Sequence, residues 1–135
     1  MPEWERLRHL LWPDLTQDEN ARNAEQVFND DDRWAVLVCE SKDELVGMVE
    51  AHLRDYAEGC DSSPVGFIEG WYVAPEVRRA GIGRALIEAA EEWARSRGCS
   101  EMASDTQLWN VESHKAHSAL GYEEVERLVC FRKVL

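Results

Sequence analysis

The sequence is short of positive charge: against 27 Asp and Glu it sets only 15 Lys and Arg, a formal net charge of −12. So acidic a chain argues against nucleic acid or an anionic membrane as partner. Cysteine is sparse as well. Cys39, Cys60, Cys99 and Cys130 are scattered without a Cys-x-x-Cys pair, which suggests neither zinc nor a disulfide framework, and reduced, buried thiols are expected instead. No spacing of His, Asp and Glu suggests a metal. Apolar runs of membrane-spanning length are missing, as is a basic and then apolar signal pattern, so the expectation is a cytoplasmic protein. No serine sits in a Gly-x-Ser-x-Gly turn, which leaves hydrolase logic unsupported. Repeats, linkers and low-complexity tracts are absent too. A single domain over residues 1–135 follows, long enough to bury a core without staples.

What is present reads as alternating helices and strands. Glu3 to Leu11 carries a helical pattern, and Thr16-x-x-Glu19 is a capping box that opens a second helix to about Phe28. Arg33 to Glu40 and Glu44 to Arg54 read as a hairpin around Ser41-Lys42-Asp43. A loop rich in Gly, Asp, Ser and Pro leads to Gly66–Val73, apolar on both faces as a doubly buried strand would be, and Pro75 stops it. Gly83 to Arg97 follows with apolar residues at helical spacing and Gly98 as its C-terminal stop. Ser100 to Ser104 predicts a short strand, Asn110 caps a helix to Leu120, Gly121 ends it, and Tyr122 to Val134 reads as a closing strand. The fold class is α/β (α+β), one layered unit.

Between the doubly buried strand and the long helix lies Arg78-x-x-Gly81-x-Gly83, the most informative run in the chain. Glycines there let backbone N–H groups at a helix start approach phosphate oxygens, helped by the positive end of the helix dipole, while Arg78, Arg79 and Arg84 add charge. Neither a Walker loop, which needs Gly-Lys-Ser/Thr, nor a three-glycine dinucleotide fingerprint fits. The pattern points to a nucleotide-bearing cofactor.

Arg78-x-x-Gly81-x-Gly83 after a buried strand resembles the acetyl-CoA loop of the GCN5-related N-acetyltransferase (GNAT) superfamily. Leu11-Trp12-Pro13, the stretch Ser63 to Val73, Ala103-Ser104-Asp105 and the stretch Ser113 to Tyr122 narrow the likeness to the aminoglycoside 6′-N-acetyltransferases, over nearly the whole chain from about Trp4 to Lys133. This resemblance implies a mixed central sheet flanked by helices, acetyl-CoA as co-substrate and a cationic amine as acceptor. Such proteins usually open with a strand before the first helix. Here that strand is missing, which leaves a sheet edge, and with the apolar segment Leu128-Val129-Cys130-Phe131 this favours a homodimer with exchanged C-terminal strands.

The resemblance also implies roles for particular residues. The backbone of Trp71, Tyr72 and Val73 would bind pantetheine and thioester, residues 78–84 (Arg78, Arg79, Ala80, Gly81, Ile82, Gly83, Arg84) would cradle the pyrophosphate, and Asn110 would contact the pantetheine arm. Asp105 would engage an amino group of the acceptor. His117 stands where many members carry a tyrosine that protonates the departing thiolate; from helical position alone, His114 on a neighbouring face could substitute, while Tyr122 reads first as strand packing.

Glu69 is read from the residues themselves. A carboxylate among Phe67, Ile68, Trp71 and Val73 is costly unless paired or used, so it either pairs with an internal arginine or binds and relays protons from the acceptor ammonium. Strand alternation places residues 67, 69 and 71 on one face. By the resemblance, Trp12, Tyr56 and Trp109 stand on or near loops that the family uses around its sugar substrate, which makes them candidate aromatic contacts for the acceptor, with their neighbours Asp14, Glu50, Asp55 and Asp61 as a cation-friendly rim. Residues 1–62 hold 16 acids and 6 bases, the remainder 11 and 9. An acidic acceptor half and a less acidic cofactor half are therefore expected. Other readings stay open at this level: the same chemistry on a polyamine or amino sugar, a non-catalytic acyl-CoA-binding module, and acetylation of basic protein tails.

Overall fold

The computed structural model describes residues 3–135, which run α1 (Glu3–Leu11), α2 (Gln17–Phe28), β1 (Trp34–Ser41), β2 (Glu44–Arg54), β3 (Val65–Val73), a 3-10 turn (Pro75–Val77), α3 (Ile82–Ser96), β4 (Met102–Ser104) and α4 (Val111–Ala119). The strands form one sheet in the order β1-β2-β3-β4, antiparallel but for the parallel β3–β4 pair. Thr16 accepts from the backbone of Glu19 while Glu19 accepts from the backbone of Thr16, so the capping box forms as read and starts α2. Lys42 and Asp43 both have positive φ, which is the geometry of a tight hairpin turn matched to strand twist.

Helix α3 lays Leu86, Ile87 and Ala90 against Val49, Ala51 and Ile68 on one face of the sheet. Each such fully buried branched side chain contributes about 1.5–3 kcal/mol by leaving water. The opposite face is covered by α1 and α2, whose Trp4, Leu7, Ala24 and Val27 pack on Met48. The two faces meet different chemistry.

Strand alternation breaks at Glu69. Glu50 pairs with Gly70 but its neighbour Ala51 pairs with Ile68, so Glu69 is the extra residue of a β-bulge. Residues 67, 69 and 71 therefore do not share a face, contrary to the alternation expected from sequence. Trp71 joins Ile68 against α3, whereas the Glu69 carboxylate stays on the α1/α2 side with Arg54 and His52. Bulges re-aim side chains, and this one splits β3 between two sites.

The last expected strand is not formed. Residues 123–135 carry no strand pairing in the single chain, because a strand needs a partner edge and β4 offers one only three residues long. Val125 packs against Gly59, where an added Cβ would come within 2.5 Å of it. Beyond it Leu128, Val129, Phe131 and Val134 are exposed, Phe131 by 93%. β4 is also shorter than the Ser100–Ser104 span expected. Among the described residues, no helix is long and apolar enough to cross a membrane.

Candidate active site

Parallel pairing between β3 and β4 stops at Ile68 and Ser104, while β3 continues to Val73. Past the bulge, the β3 backbone around Trp71 therefore faces a gap rather than a strand. An extended ligand arm fits such an edge, because it offers unpaired N–H and C=O groups in strand geometry.

The loop at the end of β3 is built for an anion. Gly81 caps α3 with φ +83° and has open space where a Cβ would stand. Arg79 is also left-handed, at φ +68°. The first α3 hydrogen bond found here runs from the Ala85 N–H to the Gly81 carbonyl, leaving the amides of Ile82, Gly83 and Arg84 at the helix start to an incoming oxygen. Arg78 is anchored by its Nε–H on the Val73 carbonyl at 2.9 Å, with its remaining N–H groups at the surface. Trp71 packs on Gly83, 3.2 Å from an ideal Cβ, and its indole Nε1–H is buried with no partner among the described residues. These residues fit a diphosphate and a polar arm. The Arg84 guanidinium also donates to the Ala119 carbonyl at 3.2 Å and lies 3.8 Å from Glu88, so it ties α3 to α4.

On the other face a cavity of about 260 Å³ is lined by Trp12, Trp34, Asn23, Gln26, Glu50 and Glu69, with Arg8 and Val27. Trp12 reaches it by lying over Gly70, where any Cβ would approach its ring to 2.6 Å. Glu69 accepts a forked pair of hydrogen bonds from Arg54, at 2.9 and 2.7 Å, and its Oε2 lies 3.4 Å from His52 Nδ1. Arg54 also stacks over Phe67, at 3.6 Å from the ring centroid. The expected arginine partner is thus present, and Glu69 still lines the cavity. Asp105 is exposed at the end of β4, where its charge helps raise the Arg54 pKa, though less than Glu69 does.

Glu50 departs from its expected place on a cation-friendly rim. It is buried, gripped by Arg8 from α1, and Arg8 in turn donates to Asn20 on α2 at 2.8 Å. Burial pushes the Glu50 carboxyl up to about 7 against the opposing pull of Arg8. Tyr56 and Trp109 are exposed on loops, Trp109 by 76%, and neither lines the cavity.

His117, on α4, lies against Trp71 on the α3 side of β3. Its Nδ1 lies 2.7 Å from the Ser113 carbonyl, which can only accept, so this nitrogen carries the hydrogen and Nε2 takes the Ser104 hydroxyl at 2.8 Å. The ring meets Trp71 and Tyr122 edge-on. The substitutes are committed elsewhere: His114 Nε2 contacts the Gln107 carbonyl at 3.1 Å, and the Tyr122 hydroxyl donates to Glu91 at 2.6 Å, its pKa raised far above the ordinary phenol value by burial and then by that bond. Asn110 caps α4 by accepting from Ser113 N–H.

Five participants were missed in the sequence: Arg8, Trp34, His52, Arg54 and Ser104. Alternation along β2 puts residues 48, 50, 52 and 54 on one face, a signal for His52 and Arg54 once Glu69 is placed there. Arg8 lies one residue from Leu7 in the stripe that buries Trp4, a position where a charge needs a partner.

The acetyltransferase (GNAT) family model matches residues 4–122. Aminoglycoside N(6′)-acetyltransferase type 1 of Klebsiella aerogenes is 50% identical, over 98% of this chain and 89% of that protein. The protein of the same name from Stenotrophomonas maltophilia is 46% identical, over 98% and 86%. A solved structure of AAC(6′)-Iy in complex with the bisubstrate analogue CoA-S-monomethyl-acetylneamine superposes with a TM-score of 0.92 at 40% identity, covering 98% of this chain and 90% of that one.

Proposed function

The chain belongs to the acetyltransferase (GNAT) family, and on that premise we propose that it is an aminoglycoside 6′-N-acetyltransferase working by direct attack in a ternary complex. It is an N-acetyltransferase that uses acetyl-CoA as co-substrate. The observation that carries the acceptor reading is the bulge. It sets the Glu69 carboxylate in a cavity walled by two tryptophans on one side of β3, while the open β3 edge and the Gly81 loop serve the other.

Bound acetyl-CoA supplies an acetyl group already activated as a thioester. Arg78, Arg79 and the amides of residues 82–84 hold its diphosphate, and the β3 edge from Trp71 to Val73 aligns the arm. Glu69 and Asp105 hold the acceptor ammonium, and Trp12 and Trp34 exclude water around the sugar ring. His117 in its protonated form passes a proton through the Ser104 hydroxyl to the departing sulfur, since in the resting arrangement its Nε2 is an acceptor. One domain spans residues 1–135, and the setting is the cytoplasm.

The exposed arm from Leu128 to Leu135 fits a homodimer in which the two chains exchange C-terminal strands, each arm burying its apolar residues on the partner. Sedimentation of the wild type as a dimer, and of Phe131→Asp as a weaker one, is the expected result.

The deciding assay follows CoA thiol release from acetyl-CoA with aminoglycosides, polyamines and basic peptides side by side. Turnover with aminoglycosides well above the other two is expected, and equal or lower turnover overturns the acceptor assignment. Gly81→Asp meets no atom within 4 Å of the new Cβ but strains the backbone at φ +83°, so the fold should be kept at a cost of about 1–2 kcal/mol of stability. It should weaken acetyl-CoA binding by about tenfold or more, as a carboxylate then stands where a diphosphate must approach. Calorimetry on the variant checks it.

A further inference from the structure

We propose that His52 is the base of this site, its Nε2 taking the proton that the acceptor amine loses during attack, with Glu69 as the residue that orients the imidazole. The inference rests on the aminoglycoside reading above and assigns a step that reading leaves open.

Three observations carry it. The His52 ring is stacked on Trp34, with centroids 4.2 Å apart and planes within 22°, so its position is fixed by a residue that lines the acceptor cavity. Nδ1 lies 3.4 Å from Glu69 Oε2, a carboxylate oxygen that can only accept, so this contact favours the neutral tautomer with its hydrogen on Nδ1 and a lone pair on Nε2. No hydrogen bond to Nε2 forms among the described residues, and the side chain is 24% exposed, so this lone pair is available.

Glu69 is poorly placed to be the base itself. Both its oxygens accept N–H groups of Arg54, and adding a proton would break that forked ion pair. Burial lowers the His52 pKa from its ordinary value and the nearby Arg33 and Arg54 lower it further, while Glu69 partly restores it. The ring is therefore neutral at pH 7 and ready to accept. Glu50, two residues along the same face, is turned to Arg8, and the α2 residues Asn23 and Gln26 facing the cavity are uncharged.

The step balances. The bound ammonium first loses one proton to water; the amine nitrogen then forms its bond to the acetyl carbon and loses a second proton to His52 Nε2, the carbon–sulfur bond breaks, and the sulfur is protonated from His117, which regains its proton from water. His52 then returns its proton to water. A base of this kind suits the reaction, because an amine that has begun to bond to carbon is far more acidic than the free ammonium.

The test is a pH profile of kcat and kcat/KM for the wild type, His52→Gln, His52→Asn and Glu69→Gln with one aminoglycoside. The wild type should lose activity below pH 6.5 with a single proton. In both His52 variants that acid limb should vanish, and kcat at pH 7.5 should fall ten- to hundredfold with acetyl-CoA affinity and melting temperature held. In Glu69→Gln, slow as it is, the limb should move to lower pH, because removing the carboxylate charge removes what raises the His52 pKa. Added imidazole should partly restore His52→Ala, an effect that a packing role for the ring would not produce. An unchanged acid limb in the His52 variants, or a loss confined to KM, overturns the proposal. Wild-type enzyme that turns over only polyamines or peptides overturns the acceptor reading instead, and the same profile run on that amine still decides on His52.

Discussion

Two glutamate–arginine pairs stand side by side on the acceptor face of the sheet, and they serve opposite ends. Glu50 faces Gly70 across the strands, next to Glu69 in the bulge. Its pair with Arg8 is sealed, with side chains 1% and 4% exposed, whereas Glu69 and Arg54 retain 20% and 37%. A sealed pair satisfies itself and holds α1 to the sheet. A half-open pair keeps a carboxylate lone pair for a ligand, and the bulge is what separates the two outcomes.

The sharpest way to break this comparison is to remove one partner from each pair. Glu50→Ala leaves Arg8 buried without a counter-charge and should cost about 3–5 kcal/mol of stability. Arg54→Ala should cost about 1 kcal/mol or less, since its partner can turn to water. Urea denaturation of both variants measures the difference, and equal losses would erase the distinction. Replacing Arg8 and Glu50 together by methionine should recover most of the loss.

The same pair carries a pH signature. Because burial lifts the Glu50 carboxyl from 4.5 to about 7, the folded chain holds a proton that the unfolded chain releases across that window. The contribution of Glu50 is therefore full below the unfolded value and is lost as pH rises towards 7. Glu50→Gln should flatten stability against pH between those values. A slope unchanged in the variant would place the titration elsewhere.

Next in size is the open pair. Glu69→Gln keeps the shape and one acceptor for Arg54 but loses the charge offered to the acceptor, which should cost about 2 kcal/mol of transition-state stabilisation, roughly thirtyfold in kcat/KM. Melting temperature and acetyl-CoA affinity should stay close to wild type. A variant with wild-type kcat/KM would reduce Glu69 to a second structural pair like Glu50.

Most of this architecture was legible from residue order. The capping box, the hairpin, the Gly81 loop and the Asn110 cap are local devices whose chemistry is written in a few adjacent residues, and they form as read. Glu69 was legible as a misfit, a charge in an apolar strand. Its neighbours were not, because a bulge cannot be read from alternation and shifts every partner beyond it by one. The face of Trp71 and the company of His52 both depend on that shift. The C-terminal strand was misjudged for a different reason. Its pattern is strand-like, but pairing is a property of two edges, and the single chain supplies too little of the second.

The smallest expected effect concerns the exposed charge around these pairs. Asp55 is 87% exposed beside Arg33, Asp105 stands open at the end of β4, and residues 1–62 are far more acidic than the rest. Such charges contribute little to the fold but set a negative field over the mouth of the cavity. Screening at physiological ionic strength acts beyond about 8 Å, so it should weaken capture of a polycation while sparing the contact at Glu69 itself. kcat/KM should therefore fall with added salt, more steeply for a tetra-amine aminoglycoside than for a mono-amine analogue, with kcat nearly constant. Stopped at low and moderate salt, the two slopes separate long-range steering from close contact. Equal slopes would mean that the acidic half keeps the protein soluble and does nothing for the substrate, and the difference between the two glutamate pairs would then rest on exposure alone.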